Sequence, residues 1–390
     1  LYTVLPTQST AAGIALSSVG ILLGINRAVR ILLNGPAGLA YDRCPRRWLY
    51  VPALVVGALS TAIYAATHGF WPLLLGRLVW GLAWSGIWVG GATVILDVTT
   101  DQNRGRWAGL YQTWFFLGGA LGAFTGGLLT DRLGYTATLW ICAGTTAAGG
   151  LAALLFLPET RGSRPEPAAK PRPRDRPRVR GNQGLWIAAS LQGVNRFIAS
   201  GVLAATLGLL VQGWLKSRPL AIGVATLTGV LSASRAGLSM FAAPLAGALS
   251  DRLGERWRIV VGALVVGAAS MALLTANALI AILIGIAGAA LVRGSSEAMV
   301  TALTGDLVRT EQRGRAIGLV HTASDLGSAI APPIAYLLLP WIGLKGVYLG
   351  CAALFVIELG LVLWFRSQST ADLRSDEVQA STCCVPTAEQ

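Results

Sequence analysis

Arg27, Arg30, Arg77, Arg196, Arg235 and Arg293, with Glu297, Asp325 and Glu358, stand inside long apolar runs rather than between them. A guanidinium binds carboxylate or phosphate through paired N–H donors, so arginines gathered at one depth are chemistry for holding an anion. Arg27 and Arg30 are three residues apart, and Asn26 and Asn34 flank Arg30 at four residues on either side. On a helix these side chains form one polar stripe. Asn195-Arg196 repeats the residue types of Asn26-Arg27, and Arg293 and Glu297, four residues apart, can neutralise each other. Asp325 has no opposite charge at helical spacing. Burial of an unpaired carboxyl favours its neutral form, which suits a proton carrier, and Glu297 is the second candidate for that role. Glu358, nearer the end of its run, can snorkel or pair locally. Basic groups outnumber acidic ones inside the runs, so the expected ligand is a small anion or zwitterion rather than a lipophilic cation.

Other chemistry is poorly supplied. His68 and His321 are the two histidines, and the five cysteines (44, 142, 351, 383, 384) have neither metal spacing nor a disulfide framework. A phosphate-binding G-x-x-x-x-G-K-[ST] loop is missing, as is a nucleophile–base constellation. The expectation is therefore no enzyme, no metal and no cofactor.

The elements that must carry these residues are membrane helices. Of 390 residues, 54% are hydrophobic and 13% charged, about half the charge of a soluble domain, with mean hydropathy +0.60. Apolar segments of spanning length fall near 14–40, 49–67, 72–96, 107–129, 136–157, 185–213, 220–248, 258–276, 278–303, 314–340 and 343–365. The net charge of +13 is no sign of nucleic acid, because the basic residues concentrate in loops on one side. Arg43, Arg46 and Arg47, Arg104 and Arg106, the stretch 161–180, Arg252, Arg256 and Arg258, Arg309, Arg313 and Arg315, and Arg366 and Arg374 share that side. Arg132, Lys216, Arg218 and Lys345 are on the other. The basic side is expected to be cytosolic. At 1.5 Å per residue, Arg30, Asp325 and Arg293 lie roughly 18–20 Å from that side, and Arg27 and Arg235 roughly 22–24 Å. There a charge costs about 2.5–3.5 kcal/mol, so each is a functional candidate.

The chain is read as a helix bundle over 1–157, a basic Pro-rich cytosolic linker over 158–184, a second bundle over 185–365 and a cytosolic tail over 366–390. The bundles are copies. Gly38, Asp42 and Arg43 recur 209 positions on as Gly247, Asp251 and Arg252; Asp97, Arg104 and Arg106 recur as Asp306, Arg313 and Arg315. One shared offset at two loops on the same side argues for a parallel duplication of a six-helix unit. The second copy has one more span than the first, so residues 1–5 are expected to be the end of a first helix that is largely missing from this chain.

Twelve spans in two halves with a central basic loop resemble the major facilitator superfamily. Gly38-Leu-Ala-Tyr-Asp42-Arg43-Cys-Pro45-Arg46-Arg47 is similar to that family's G-x-L-A-D-R-x-G-R-R pattern, with Pro45 in place of Gly. Arg77-Leu-Val-Trp-Gly81 is similar to the R-x-x-x-G pattern of the drug/proton antiporter branch. Gly118 to Gly127 looks like that branch's G-x-x-x-G-P-x-x-G-G, with Ala123 in place of Pro. The resemblance implies alternating access and a cytosolic gate made by the two Gly-Asp-Arg motifs. It implies proton-coupled efflux of a small organic solute, with uptake or exchange of an organic anion as the alternative. The implied partners are a small molecule, protons and lipid, in a bacterial inner membrane. Asn26, Arg27, Arg30, Asn34, Arg77, Asn195, Arg196, Arg235 and Arg293 are the expected substrate-binding residues.

Overall fold

A computed structural model describes residues 2–98, 104–160, 182–216, 222–253, 255–276, 278–308 and 313–383. The first half holds α1 (Leu16–Arg43), α2 (Arg46–Ala66), α3 (Phe70–Val98), α4 (Arg104–Leu133) and α5 (Tyr135–Phe156). The second holds α6 (Gln183–Arg196), which passes through a π-helical segment (Phe197–Val202) into α7 (Leu203–Lys216). It continues with α8 (Val224–Leu253), α9 (Arg256–Leu273), α10 (Leu279–Leu307) and α11 (Arg313–Cys383). Among the described residues there is no strand, and nine helical runs are long and apolar enough to cross a membrane, α6 to α7 counting as one. The apolar stretch of α11, Ala316–Gln368, is 53 residues, more than twice what one crossing needs. It divides at Gly343 (φ 64, ψ 177), a left-handed conformation that glycine adopts without the clash a Cβ would bring. Outward-facing side chains are apolar: Phe156 is 82% exposed and Trp341 84%, both at helix ends where aromatic residues meet the membrane interface. The protein is a multi-pass helical membrane protein.

Three local expectations change. The Gly38–Arg43 and Gly247–Arg252 motifs are the last turns of α1 and α8, not loops. Nothing breaks α1 until Cys44, whose successor Pro45 disfavours helical backbone before it. Residues 2–13 form turns rather than the end of a helix, with Val4, Leu5 and Ala12 buried in a cluster that draws on both halves, including Leu22 and Leu73 of the first and Ala205 and Tyr336 of the second. Beyond residue 365 α11 continues to Cys383, since no Gly or Pro interrupts that stretch. Most of the basic linker, 161–181, lies outside the described residues.

The halves join through α1 against α11 and α4 against α8. Small residues bring these backbones together on the face opposite the basic motifs. A Cβ on Gly24 would lie 2.3 Å from the Ala329 carbonyl oxygen, and one on Gly127 2.2 Å from that of Ala225. Toward the basic face the same four helices separate. A Cβ on Gly35, Gly38, Gly118, Gly237, Gly247 or Gly318 would meet nothing within 4 Å. A cleft between the halves therefore opens toward the basic face.

Candidate functional site

Five of the six arginines inside the apolar helices have their own protein partners. Arg77 Nε donates to the Leu22 carbonyl at 2.6 Å, and its Nη2 to the Leu23 carbonyl at 3.3 Å and to Asn26 Oδ1 at 2.6 Å. These bonds fasten α3 to α1, and the Tyr2 ring lies 5.6 Å from the guanidinium. Arg77 and Asn26 are thus committed to the inside of the first half. Arg27 crosses between halves: its Nη1 donates to the Ser200 carbonyl at 3.0 Å and the Ser328 carbonyl at 2.9 Å. Arg235 Nη2 donates to the Ala199 carbonyl at 2.7 Å. Both acceptors Ala199 and Ser200 belong to the π-helical segment, where the wider i→i+5 pattern disturbs the regular ladder.

The sequence left Asp325 without a partner on its own helix; the fold supplies one. Arg30 Nη2 from α1 lies 3.5 Å from Asp325 Oδ1 on α11, an ion pair between the halves. Both side chains keep partial exposure, 18% and 25%, so the cleft reaches down to them. The expected Arg293–Glu297 pair does not form, because Glu297 pairs with Arg196 of α6. Asn195 Nδ2 donates to the Arg293 carbonyl at 3.4 Å, and Asn34 Oδ1 has no hydrogen-bond partner among the described residues. Glu358 accepts a bond from Ser190 Oγ at 2.6 Å, within the second half.

That leaves Arg293. It is half-buried and, among the described residues, makes no side-chain hydrogen bond or ion pair. It lines a pocket of about 500 Å³ with Glu297, Ser239 and Met240 from the second half and Thr113 and Phe116 from the first. A volume of this size accommodates a small organic molecule.

On the basic face, Arg46 Nε meets the buried Asp97 Oδ2 at 2.9 Å, and Thr160 Oγ1 donates to the same oxygen at 3.2 Å. Glu159 caps the start of α2, accepting from the backbone N–H groups of Arg46 at 2.8 Å and Arg47 at 3.1 Å. The second half answers with Arg256 Nη1 and Asp306 Oδ2 at 2.6 Å, and with Glu255 held by Arg258 and Arg366. These pairs lie within each half. Asp42, Arg43 and Arg252 are exposed. Asp42 makes no bond among the described residues, and a Cβ on Gly38 or Gly247 would meet nothing within 4 Å. The side chains of Arg104, Arg106, Asp251, Arg313 and Arg315 lie outside the described residues.

Two anchors carried no sequence signal. Glu159 follows the last span of the first half as one charge among many. Asp131 ends α4 on the face opposite the motifs and accepts from the backbone N–H groups of Thr226 at 2.6 Å and Ala225 at 3.4 Å, in the first turn of α8. A carboxylate there satisfies otherwise unpaired N–H groups and complements the helix dipole, and the bond spans the two halves.

The sequence matches the family described as Major Facilitator Superfamily over residues 1–236 and again over 185–382. The chain belongs to the Major Facilitator Superfamily. The double match agrees with the duplication seen in the 209-residue register. Among curated relatives, it is 30% identical over 163 residues to the inner membrane transport protein YajR of Escherichia coli strain K12, covering 40% of this chain and 35% of YajR. It is 34% identical over 113 residues to the class C tetracycline resistance protein of Escherichia coli, covering 29% of this chain and 28% of that protein. Against citrate exporter 1 of Aspergillus niger it is 26% identical over 162 residues, 41% of this chain and 30% of the exporter. The chain thus aligns with about a third of these superfamily relatives' lengths. In three dimensions it matches a bacterial homologue of the human lysosomal transporter Spinster in an inward-facing, occupied conformation, with TM-score 0.76 and 15% identity, over 93% of this chain and 91% of that one. The human organic anion transporter MFSD10 matches with TM-score 0.63 and 18% identity, over 92% and 88%. Both likenesses are of fold.

Proposed function

We propose that the protein is a secondary active transporter that exports a small organic anion by alternating access, with proton movement through Asp325 as the coupling step. The observation that carries this reading is Arg293, a guanidinium that makes no side-chain hydrogen bond or ion pair among the described residues, in a pocket lined by both halves. A half-buried guanidinium whose donors are not taken up by protein acceptors leaves them free to bind an anion in paired geometry. The substrate role expected of Arg27 and Arg30 accordingly passes to Arg293, since Arg27 is held by two carbonyls and Arg30 by Asp325. The Arg30–Asp325 pair joins the halves at the floor of the cleft, so a proton on Asp325 would release Arg30 and loosen that contact. Export is supported by relatives named for citrate export and tetracycline resistance, and an anionic cargo by a structural neighbour named as an organic anion transporter. In this reading the basic face is cytosolic, in a bacterial inner membrane. The bundles 1–157 and 185–365 rock about the cleft, while 158–184 and 366–390 remain cytosolic. The Gly-Asp-Arg motifs close the basic face in the alternate state.

Flux of radiolabelled organic acids in proteoliposomes under an imposed pH gradient tests the proposal. Asp325→Asn is expected to abolish the response to the gradient while leaving counterflow exchange. Arg293→Gln is expected to reduce both by tenfold or more. Full transport by Arg293→Gln would overturn the anion reading, and retained gradient response in Asp325→Asn would overturn the coupling role.

A further inference from the structure

The 209-residue register that relates the two halves places Trp84 of α3 where α10 has Arg293, and Trp88 where α10 has Glu297. One wall of the cleft carries charge at the positions where the other carries indole. Trp84 stacks on Trp80 at 5.9 Å and on Trp88 at 6.4 Å, the latter pair inclined by only 14°. Phe115 of α4 closes the group, 6.0 Å from Trp84 and 5.2 Å from Trp88. Its neighbour Phe116, 5.6 Å away, lines the pocket that holds Arg293. The Trp84 ring also lies 6.0 Å from the Arg30 guanidinium, which reaches Asp325 in the other half. Trp84 therefore faces the cleft between the halves, and both Trp84 and Trp88 remain half-buried rather than covered. From Trp84 to Trp88 the ladder runs toward the basic face, where the cleft opens.

A row of indole faces binds flat π systems by stacking and offers an aliphatic chain only area. Resting on the anion reading given above, we infer that the substrate is an aryl carboxylate, its ring laid on Trp84 and Trp88 of α3 and its carboxylate on Arg293 of α10. Each half then contributes one end of the recognition, so a single ligand bridges both walls of the cleft. Arg27, Arg30, Arg77, Arg196 and Arg235 are taken up by protein partners, which leaves Arg293 to meet one anionic end and favours a monocarboxylate over a di- or triacid.

The test compares two acids of equal charge and similar size, 2-naphthoate and its saturated decahydro counterpart, in equilibrium binding to the detergent-solubilised protein. The unmodified protein should bind naphthoate about tenfold more tightly. Trp84→Leu and Trp88→Leu should remove most of that preference by weakening naphthoate alone, roughly five- to tenfold, while Trp84→Phe should retain much of it. Arg293→Gln should weaken both acids. Each variant's melting profile, compared with that of Trp84→Phe, separates lost stacking from lost folding. Equal affinity for the two acids, both dependent on Arg293, would overturn the aryl inference and leave the anion reading standing. Equal weakening of both acids by Trp84→Leu would make the ladder a packing feature and likewise overturn the inference. Failure of either acid to bind in an Arg293-dependent way would overturn both.

Discussion

At the scale of single residues, the arginines divide by what occupies their donors. Arg27 spends one nitrogen on two carbonyls from different elements of the second half. Arg27→Ala would strand both acceptors, and the loss of charge-assisted bonds is expected to cost about 1.5–3 kcal/mol, read as a lower melting temperature in detergent. Arg27→Lys should recover only part of this, because an ammonium cannot reproduce the planar arrangement of guanidinium donors. Arg30 and Asp325 form a pair whose members depend on each other. Removing one leaves the other charged in a poorly solvated cleft, so Arg30→Ala and Asp325→Ala should each destabilise more than the double variant. A double-mutant cycle on unfolding should give a coupling of about 1 kcal/mol; additive losses would mean that the 3.5 Å contact carries no energy.

At the scale of elements, closure of the face opposite the motifs rests on close backbone approach and on one carboxylate. A side chain on Gly24 would overlap the Ala329 carbonyl, so Gly24→Val is expected to force α1 from α11 and to abolish transport while the protein still inserts. Flux in proteoliposomes alongside membrane-fraction expression checks both halves of that statement. Asp131 holds the first turn of α8 from the end of α4. In Asp131→Ala those N–H groups lose their acceptor and the closed face should loosen. Spin labels at Arg132→Cys and Ile222→Cys report it: electron–electron distance distributions should broaden toward longer values in Asp131→Ala, and an unchanged distribution would remove Asp131 from the closure.

At the scale of the molecule, two helical halves meet along α1–α11 and α4–α8 and part toward the basic face. Membrane-impermeant maleimide should therefore reach a cysteine at Ala243→Cys, in the pocket, only from the basic face, in a background lacking the native cysteines. Labelling from the other face alone would reverse the geometry. Much of this was readable without coordinates. Spanning segments follow from about 20 apolar residues per crossing, and duplication from a single offset shared by Asp42 with Asp251 and Asp97 with Asp306. The polar stripe of Asn26, Arg27, Arg30 and Asn34 follows from helical periodicity alone. What spacing along one helix cannot give is a partner on another. Glu297 sits one turn from Arg293 yet pairs with Arg196, and Arg27 finds carbonyls 173 and 301 positions away. Local sequence determined which charged groups stand inside apolar helices. Helix packing decided which of them neutralise one another and which, like Arg293, make no ion pair among the described residues, because a charge in a span is governed by the nearest opposite charge in space and not in sequence.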